Sequence, residues 1–350
     1  MQSWLEADRD ELSAYFKGIG QPAFRAAQFH DWLHAKRVDD FAAMKNIPAA
    51  LRGSLAADRS LRVLRPLEER RAADGLTAKW LYAADGDERE LIESVLIVEK
   101  QHTRRTVCVS CMVGCPLACA FCATGQCGFV RNLSAGEIIE QVYAIDGALR
   151  SAGDDGVSHV VFMGMGEPLL NFDAVLRAAD AFADAKGMGL SGRHLTISTA
   201  GIPEGVERLA ASGRNYRLAV SLHAPNQAVR ERIMPAAKRW PLAELFPALE
   251  KFAASSSRDI TFEYCLIDGV NAAEGQAREL ASLIGGFRAK VNLIPMNAVA
   301  GAAMKAPPAR AIRRFQEILE AKGISAPVRM EKGAEIGGAC GQLRAERGEK

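Results

Sequence analysis

Three closely spaced cysteines are the residues of this chain with the most evident chemistry. Cys115, Cys119 and Cys122 have the spacing Cys-x3-Cys-x2-Cys, and six of the chain's eight cysteines lie between residues 108 and 127. Three thiolates on one loop can each ligate one iron of a four-iron cube and leave the fourth iron without a protein ligand. An open iron of this kind can bind a small chelating molecule. The trio therefore predicts a [4Fe–4S] cluster that takes part in catalysis.

A structural zinc site is the alternative use of these thiols. Structural zinc normally has four protein ligands, often as two Cys-x2-Cys pairs. Within the trio, only Cys119 and Cys122 form such a pair. A second register, Cys111-x3-Cys115-x3-Cys119, is also possible on paper. We interpret Cys111 and Cys127 as lying outside the ligand set.

Two cysteines lie far from this segment. Cys265 stands in an apolar run and is interpreted as a small core residue. Cys340 lies near the C-terminal end, in the context Gly-Ala-Cys-Gly-Gln-Leu. A cysteine near a chain end would by itself be a stray thiol, so any role of Cys340 depends on its neighbours.

The elements that must position these cysteines alternate beyond residue 106. Strand-like runs are residues 106–110, 157–163, 194–199, 216–222, 260–266 and 291–294. Helical stretches between and after them include residues 135–149, 172–186, 242–254 and 309–322. Such alternation predicts βα units and a parallel sheet, hence the α/β class. In parallel barrels reactive groups gather at the C-terminal strand ends. The cysteines follow the first strand, Gly-Met-Gly-Glu-Pro the second and Ser-Leu-His the fourth.

The segment before this alternation divides into two parts. Residues 1–60 carry apolar and aromatic side chains at helical spacing, which indicates a small helical domain. Residues 61–105 are expected to form a β-rich bridge into a main domain of residues 106–350. The strand-like runs of the bridge and the turn between them are residues 79–82, 91–98 and Asp85-Gly86-Asp87.

Composition and the N-terminal residues limit the class of protein. Of the 350 residues, 49% are hydrophobic and 25% are charged, as in a globular chain. The net charge of +2 does not bear on nucleic acid, because that inference needs basic residues gathered on one face. The first residues lack the basic start and apolar run of a secretory signal, and no apolar run approaches membrane-spanning length. We therefore expect a cytoplasmic protein without a membrane partner, whose cysteines serve metal binding or catalysis.

His30 and His34 stand four residues apart on a predicted helix, which is the spacing of a zinc protease motif. Asp31 replaces the glutamate that such a helix carries, and no third ligand follows. We therefore expect both histidines to be surface residues.

A second motif supports the interpretation of the cysteine trio. Gly164-Met165-Gly166-Glu167-Pro168 follows the second predicted strand of the main domain, and Phe121 immediately precedes the last cysteine of the trio. Together these residues resemble the signature of radical S-adenosylmethionine (SAM) enzymes. In that superfamily the open iron binds the amino and carboxyl groups of SAM, and the glycine-rich strand end contacts the amino group. Glycines let the backbone come close to a ligand, and a carboxylate suits an ammonium group.

Within this superfamily the sequence resembles, almost from end to end, the dual-specificity ribosomal and transfer RNA adenine C2-methyltransferases. The matching segments are Phe24-Arg25-Ala26, Cys108-Val109-Ser110, residues 128–133, residues 164–171, Ser221-Leu222-His223, residues 292–295 and residues 339–343. The resemblance implies a partial (β/α)6-type barrel, preceded by a small helical domain of the kind that binds RNA.

The resemblance also implies roles for single residues. Cys340 is expected to carry a methyl group, Cys108 to resolve a protein–RNA adduct through a transient disulfide with Cys340, and Glu93 to accept a proton. The alternative for Glu93 is a solvated carboxylate on a half-exposed strand. The cluster is expected on Cys115, Cys119 and Cys122, and SAM is expected to contact Gly166, Glu167, Ser198, Ser221, Leu222, His223 and Asn297.

The implied reaction uses two molecules of SAM per turnover and forms 2-methyladenosine in 23S ribosomal RNA and in transfer RNA. Other implied partners are an electron donor such as flavodoxin or ferredoxin, and the chain is expected to be a monomer. RNA phosphates could contact basic residues near the cluster and on the helical domain, although solvated side chains explain each of them as well. These residues are Arg104, Arg105, Arg131, Arg25, Lys36 and Arg37.

Two other functions remain open from the sequence. A related methyltransferase modifies carbon 8 of the same ribosomal adenine, and alanine is expected there at the position of Pro168. A noncatalytic RNA-binding protein with a structural zinc site would need no SAM. The chain also departs from its relatives in two places, because residues 333–339 lack an aspartate-rich approach to Cys340 and Cys111 stands where serine is usual. Both departures leave the choice of RNA open.

Overall fold

A computed structural model describes residues 2–84, 87, 89–99, 104–299, 303–329 and 332–345. The strands in these residues are β1 (Leu64–Arg71), β2 (Thr77–Ala84), β3 (Leu91–Val98), β4 (Arg105–Cys108), β5 (Met112–Gly114), β6 (Phe129–Asn132), β7 (His159–Phe162), β8 (Leu195–Thr199), β9 (Arg217–Ser221), β10 (Ile260–Leu266) and β11 (Ala289–Pro295). The α-helices are α1 (Arg9–Gly18), α2 (Phe24–His30), α3 (Ala49–Asp58), α4 (Ala123–Gln126), α5 (Ala135–Ser151), α6 (Phe172–Ala183), α7 (Pro203–Ala211), α8 (Gln227–Ile233), α9 (Leu242–Ser255), α10 (Glu274–Ile284) and α11 (Ala309–Glu320). A π-helical turn, Asp31–Ala35, continues α2.

Nine of these strands form one open sheet in the order β1-β2-β3-β4-β7-β8-β9-β10-β11, while β5 and β6 form a separate hairpin. Neighbouring strands are antiparallel from β1 to β4 and parallel from β4 to β11. Six parallel strands with helical connections form a partial (β/α)6-type barrel, which confirms the predicted fold class. The C-terminal ends of the parallel strands meet at one rim, and the loops of the candidate site begin there.

Most predicted elements lie close to their observed bounds. β3 and β10 have the predicted bounds, and the other predicted strands and main-domain helices differ by at most three residues at either end. Seven described strands and α-helices were not predicted: β1, β5, β6, α4, α7, α8 and α10. Among the described residues, β1 pairs only with β2 and forms one edge of the sheet. An edge strand needs few apolar side chains, so the mostly polar sequence of β1 did not indicate a strand. Residues 85 and 86 of the predicted turn lie outside the described residues.

Aromatic packing holds the N-terminal helices together. The Trp4 ring contacts Tyr15 and Phe29 at centroid distances of 4.8 and 5.2 Å. Its indole N–H donates to the carbonyl of Leu55 in α3 at 2.9 Å, so the one polar atom of this buried ring is satisfied. The helical spacing of these aromatic residues therefore correctly predicted N-terminal helices that pack against one another. Its boundary at residue 60 stays a prediction.

His30 and His34 are not surface residues, and the prediction for them was wrong. Both are buried. His30 Nε2 lies 3.0 Å from a carboxylate oxygen of Asp184, and His34 Nδ1 lies 2.8 Å from the Tyr143 hydroxyl on α5. The helical spacing that suggested an exposed pair puts both rings on the face that packs against α5 and the end of α6.

We expect the His34 environment to make the fold sensitive to mild acid. Burial lowers the pKa of His34 from its ordinary value near 6.5 to about 3. Below pH 6.5 His34 therefore binds a proton in the unfolded chain but stays neutral in the folded protein. The folded state loses stability as the pH falls toward 3. When the pH is lowered from 7.0 to 5.5, His34 should lower the free energy of unfolding by about 1 kcal/mol. Urea unfolding of wild type and His34→Gln at both pH values measures it, and an equal loss in the two proteins would contradict it.

No helix of the described residues is both long enough and apolar enough to cross a membrane.

Candidate active site

The cysteine trio lies on the loop between β5 and α4, and all three thiols face one cavity. We call this the cysteine cavity; its further lining residues include Gly166, Glu167, Ser198, Ser221, His223, Asn297 and Cys340. The start of the loop is fixed because the Cys115 N–H donates to the Gly128 carbonyl of the hairpin at 2.7 Å. Its end turns at Cys122, whose N–H donates to the Cys119 carbonyl at 3.1 Å.

The trio fits an iron–sulfur cube better than a single metal ion. No three His, Cys, Asp or Glu side chains within the described ranges lie close enough together to hold one ion. Thiols that each take a different iron of a cube do not need to converge on one point. Burial raises the pKa of the Cys115 thiol to about 12, with the neighbouring Glu167 and Cys122 adding to the shift. A cationic centre next to Cys115 would therefore favour its thiolate form.

The glycine-rich segment after β7 runs close to residues 109–112, which lead into the cysteine loop. The Gly164 N–H donates to the Val109 carbonyl at 3.0 Å, and a Cβ at Gly164 would lie 2.6 Å from that same oxygen. Gly166 has a φ of +107°, which other residues rarely adopt, and a Cβ there would lie 2.7 Å from the Met112 side chain. Backbone approach, and not only turn formation, therefore requires these two glycines.

Glu167 brings a buried carboxylate to the cysteine cavity. It accepts hydrogen bonds from the backbone N–H groups of Ala200 at 2.6 Å and Leu169 at 3.0 Å. Burial raises the pKa of the Glu167 carboxyl to about 7. A bound ammonium group would favour the charged carboxylate and offset this cost.

His223 lies at the end of β9 with its ring facing the cysteine cavity. The Cys265 N–H donates to His223 Nδ1 at 2.9 Å, so in the neutral ring the proton is on Nε2. Burial lowers the pKa of His223 to about 3, and the Phe121 ring packs edge-on against it at 4.7 Å. Leu222, predicted as a cofactor contact, is buried beneath the rim and does not line the cavity.

A second cavity occupies the interior of the barrel. This barrel cavity is lined by Cys108, Glu263, Asn292 and several cations, and it shares Asn297 and Cys340 with the cysteine cavity. Within the described residues, Cys340 is the cysteine that lines both cavities. The structure therefore brings together the two thiols that lie more than 200 residues apart in the sequence.

The two thiols share an electrostatic environment. Burial raises the pKa of Cys108 to about 12 and that of Cys340 to about 11. The positive charge of Arg329, which lines both cavities, acts in the opposite direction on each thiol. The Cys340 side chain is exposed and lines both cavities.

The loop that carries Cys340 is tied to the cysteine loop. The Ala123 N–H donates to the Gly341 carbonyl at 2.7 Å, and the Thr124 hydroxyl donates to the Leu343 carbonyl at 2.6 Å. Asn297 Nδ2 donates to the carbonyl of Cys340 itself at 2.8 Å. These bonds place Cys340 next to α4, the helix that follows the trio.

Glu93 is buried, which argues against the alternative of a solvated carboxylate on a half-exposed strand. β3 lies between β2 and β4, and both faces of the strand are covered at this point. The carboxylate forms a 2.7 Å ion pair with Lys79 and accepts the Arg344 backbone N–H at 2.9 Å. Glu93 lines neither cavity and lies instead beneath the Cys340 loop.

Basic residues gather in the barrel cavity rather than around the cysteine loop. Five cations line it against two carboxylates; the cations are Arg104, Arg217, Lys290, Arg329 and Lys332. Burial lowers the pKa of Lys290, and the nearby Arg217 adds to the effect. Of these five, only Arg104 was predicted. Arg217 and Lys290 stand in the first two positions of their strands, where an inward-facing charge could have been suspected.

The other predicted phosphate contacts are occupied by protein partners. Arg105 pairs with Asp155 at 3.2 Å, and Arg131 pairs with Glu90 and Glu137 at 2.6 and 2.8 Å. On the helical domain, the ion-pair or hydrogen-bond partners of Arg25, Lys36 and Arg37 are Gln28, Asp31 and Asp146, respectively.

Comparison with known proteins assigns the class and then the family. Residues 109–281 match the family model of the radical SAM superfamily. The crystal structure of a radical SAM methyltransferase from Sphaerobacter thermophilus is 41% identical, with a TM-score of 0.94, and the match covers 99% of this chain and 100% of that one. The fold and the cysteine trio therefore define a radical SAM enzyme.

Residues 3–60 match the model described as the ribosomal RNA large subunit methyltransferase N-terminal domain. The probable dual-specificity RNA methyltransferase RlmN of Symbiobacterium thermophilum is 44% identical over 96% of this chain and 89% of its own length. The dual-specificity RNA methyltransferase RlmN of Alkalilimnicola ehrlichii is 44% identical over 97% and 92%. The chain belongs to the RlmN family of dual-specificity RNA methyltransferases. Membership of the radical SAM superfamily implies a [4Fe–4S] cluster and SAM as cofactors.

Proposed function

We propose that this chain methylates carbon 2 of adenosine in 23S ribosomal RNA and in transfer RNA, through a methyl group carried on Cys340. The observation that carries the proposal is the position of Cys340 between two cavities. One cavity holds the cysteine trio, and the other holds Cys108 and an excess of positive charge. A negatively charged RNA is the substrate that suits such a cavity.

The residues divide into three groups in this proposal. Cys115, Cys119 and Cys122 hold the cluster, while Gly166, Glu167, Ser198, Ser221, His223 and Asn297 contact SAM. Leu222 is buried, so it contacts SAM only through its backbone. Cys340, Cys108 and Glu93 carry out the transfer. Residues 1–60 form an RNA-binding helical domain, residues 61–105 a bridge, and residues 106–350 the catalytic barrel with the Cys340 loop. Two SAM molecules are used per turnover, a flavodoxin or ferredoxin supplies electrons, and the chain acts as a monomer.

The chemistry of adenine explains why a thiol carrier is needed. Carbon 2 of the ring is electron-poor and cannot attack a methyl sulfonium. With SAM bound, the reduced cluster supplies a radical that can remove a hydrogen atom from an unactivated methyl group. Cys340 presents its sulfur-bound methyl group to this chemistry from the cysteine cavity, and to the base from the barrel cavity.

The remaining steps fall to protein side chains. After the methylene radical on Cys340 has added to carbon 2 of adenine, Glu93 removes the ring proton, for which its carboxylate must first leave Lys79 or the Arg344 amide. The unpaired electron left on the ring would return to the oxidised cluster that the cysteine trio holds. The Cys108 thiolate then attacks Cys340 Sγ, which forms a disulfide and breaks the bond between that sulfur and the carbon now on the RNA. The carbon takes up a proton and becomes the product methyl group. An external thiol reduces the disulfide before the next turnover.

Mass spectrometry of nucleosides tests the proposal. Oxygen-free enzyme with reconstituted cluster, SAM, a reductant and a 23S ribosomal RNA fragment should form 2-methyladenosine. Cys127→Ser serves as a control, because Cys127 lies outside the cysteine trio and the serine keeps a hydrogen-bond donor toward the Ala123 carbonyl. 8-Methyladenosine as the main product would contradict the choice of carbon, although Pro168 favours carbon 2. A colourless, zinc-loaded protein that cannot cleave SAM would contradict the enzyme itself.

A further inference from the structure

Lys79 is a buried lysine that the proposed reaction does not use. It lies on β2 directly opposite Val95 of β3, so its side chain points diagonally toward Glu93 on the same face of the sheet. Only 8% of the residue is exposed. The ammonium group lies 2.7 Å from Glu93 Oε1 and donates to the Gly337 carbonyl at 3.4 Å. A buried ammonium in this position requires such partners.

The second oxygen of Glu93 reaches the other side of the same loop. Glu93 Oε2 accepts the backbone N–H of Arg344 at 2.9 Å. Gly337 and Arg344 stand on either side of Cys340 in the sequence, so the ion pair contacts the Cys340 loop at both ends. We call the arrangement of Lys79, Glu93, Gly337 and Arg344 the Lys79–Glu93 clasp.

The clasp and α4 hold opposite sides of the Cys340 loop. Gly341 and Leu343 are bonded to Ala123 and Thr124, as described above. Gly337 adopts a left-handed conformation with a φ of +63°, and a Cβ there would lie 3.3 Å from Lys79 Nζ. Glycine at position 337 therefore suits both the left-handed turn and the close approach of the ammonium group. Without the clasp, the bonds to α4 and Asn297 would remain, as would the bond from the Gln342 side chain to the Ala298 carbonyl at 2.9 Å. The two ends of the loop would lose their anchor on β2 and β3.

We propose that Lys79 is a positioning residue for methyl transfer, which acts through Glu93 to fix the Cys340 loop and thereby the sulfur at the junction of the two cavities. The effect on RNA methylation rests on the proposed function, while the effect on the loop does not. Each oxygen of Glu93 already has a donor within 3 Å. Glu93 must therefore exchange at least one of these partners before it can serve as a base.

Amide hydrogen exchange in the cluster-loaded holoenzyme tests the clasp directly. Lys79→Met should raise the exchange rate of the segment 337–344, including the Arg344 amide, by about tenfold, because Gly337 loses its donor and the buried Glu93 loses the partner that holds its carboxylate toward the Arg344 amide. Lys79→Arg, which keeps the charge, should restore much of the protection and remains informative if Lys79→Met does not fold. Lys251→Met is the matched control, since Lys251 forms an exposed ion pair of 2.6 Å with Glu207. Unchanged exchange in Lys79→Met would overturn the clasp.

Methylation kinetics separate positioning from proton transfer. Lys79→Met should lower kcat by about tenfold and leave the KM for RNA within about twofold, because the sulfur is displaced while the RNA contacts remain. Glu93→Gln should instead accumulate the covalent protein–RNA adduct, since the amide cannot take the ring proton. Accumulation of the adduct in Lys79→Met as well would overturn the positioning role. A wild-type enzyme that methylates no RNA would contradict the proposed function, and the exchange comparison would still decide the clasp.

Discussion

Replacement of Cys340 by alanine should abolish RNA methylation while the cluster remains intact. The loss should exceed about a hundredfold, because the variant has no sulfur to carry the carbon and no alternative nucleophile at the junction of the cavities. In the described residues, no other cysteine lines both cavities. Iron and sulfide content, the visible spectrum and the SAM content of RNA-free enzyme should stay at wild-type values, since the cysteine trio is unchanged. Nucleoside mass spectrometry gives the methylation readout.

Cys108→Ala provides the informative comparison for this variant. It lacks the resolving thiol but keeps the carrier, so it should form the covalent protein–RNA adduct and fail to release it, whereas Cys340→Ala should form no adduct at all. A gel under denaturing conditions distinguishes the two. Methylated RNA from Cys340→Ala would remove the thiol-carrier mechanism, even if the chain is a methyltransferase.

Neutralising two cations of the barrel cavity should weaken RNA binding by on the order of a hundredfold. Arg217→Ser and Lys290→Met together remove two of the five positive side chains that line this cavity. Charge-assisted contacts to phosphate contribute about 1.5 kcal/mol each or more, which gives this magnitude for two of them. The slope of log K against log salt should fall by about 2, because two fewer counterions are released. Filter binding or fluorescence anisotropy over a range of salt concentrations measures both.

A second double variant controls for net charge. Lys251→Met with Arg278→Ser also removes two cations, but these pair with Glu207 and Glu274 on the outer helices and do not line the cavity. Its affinity and salt slope should remain close to those of the wild type. Equal losses in the two double variants would show that RNA senses only the total charge, and would contradict entry of RNA through the barrel cavity.

Local patterns predicted the parts of the site that depend on local spacing. Cys115, Cys119 and Cys122 could be recognised together because they share one short loop. Strand and helix bounds of the barrel followed from runs such as Ile260–Leu266, whose side chains are all buried. These features need no knowledge of what lies across the fold, since period and spacing are properties of a few consecutive residues.

The residues that the sequence left open, overlooked or placed wrongly are those whose surroundings are set by distant segments. Glu93 has the pattern of a half-exposed strand, and only the addition of β2 and β4 on either side, with the Cys340 loop above, buries it. His34 has helical spacing, but its burial depends on α5, more than 100 residues later. No role was predicted for Lys79, because its partners Glu93 and Gly337 are distant in the sequence. Tertiary contacts decide burial in each case, and burial decides the chemistry.

The position of Cys340 on the shared wall has a kinetic consequence. In the proposed cycle, one sulfur faces two chambers, so the one-carbon unit travels between donor and acceptor by bond rotation and never diffuses. A tethered carrier of this kind faces its acceptor at an effective concentration far above that of any solute, on the order of 10⁵ M or more when well oriented. Water and stray thiols then compete poorly for the activated carbon, and the lifetime of that reactive species need only match the time of a side-chain rotation.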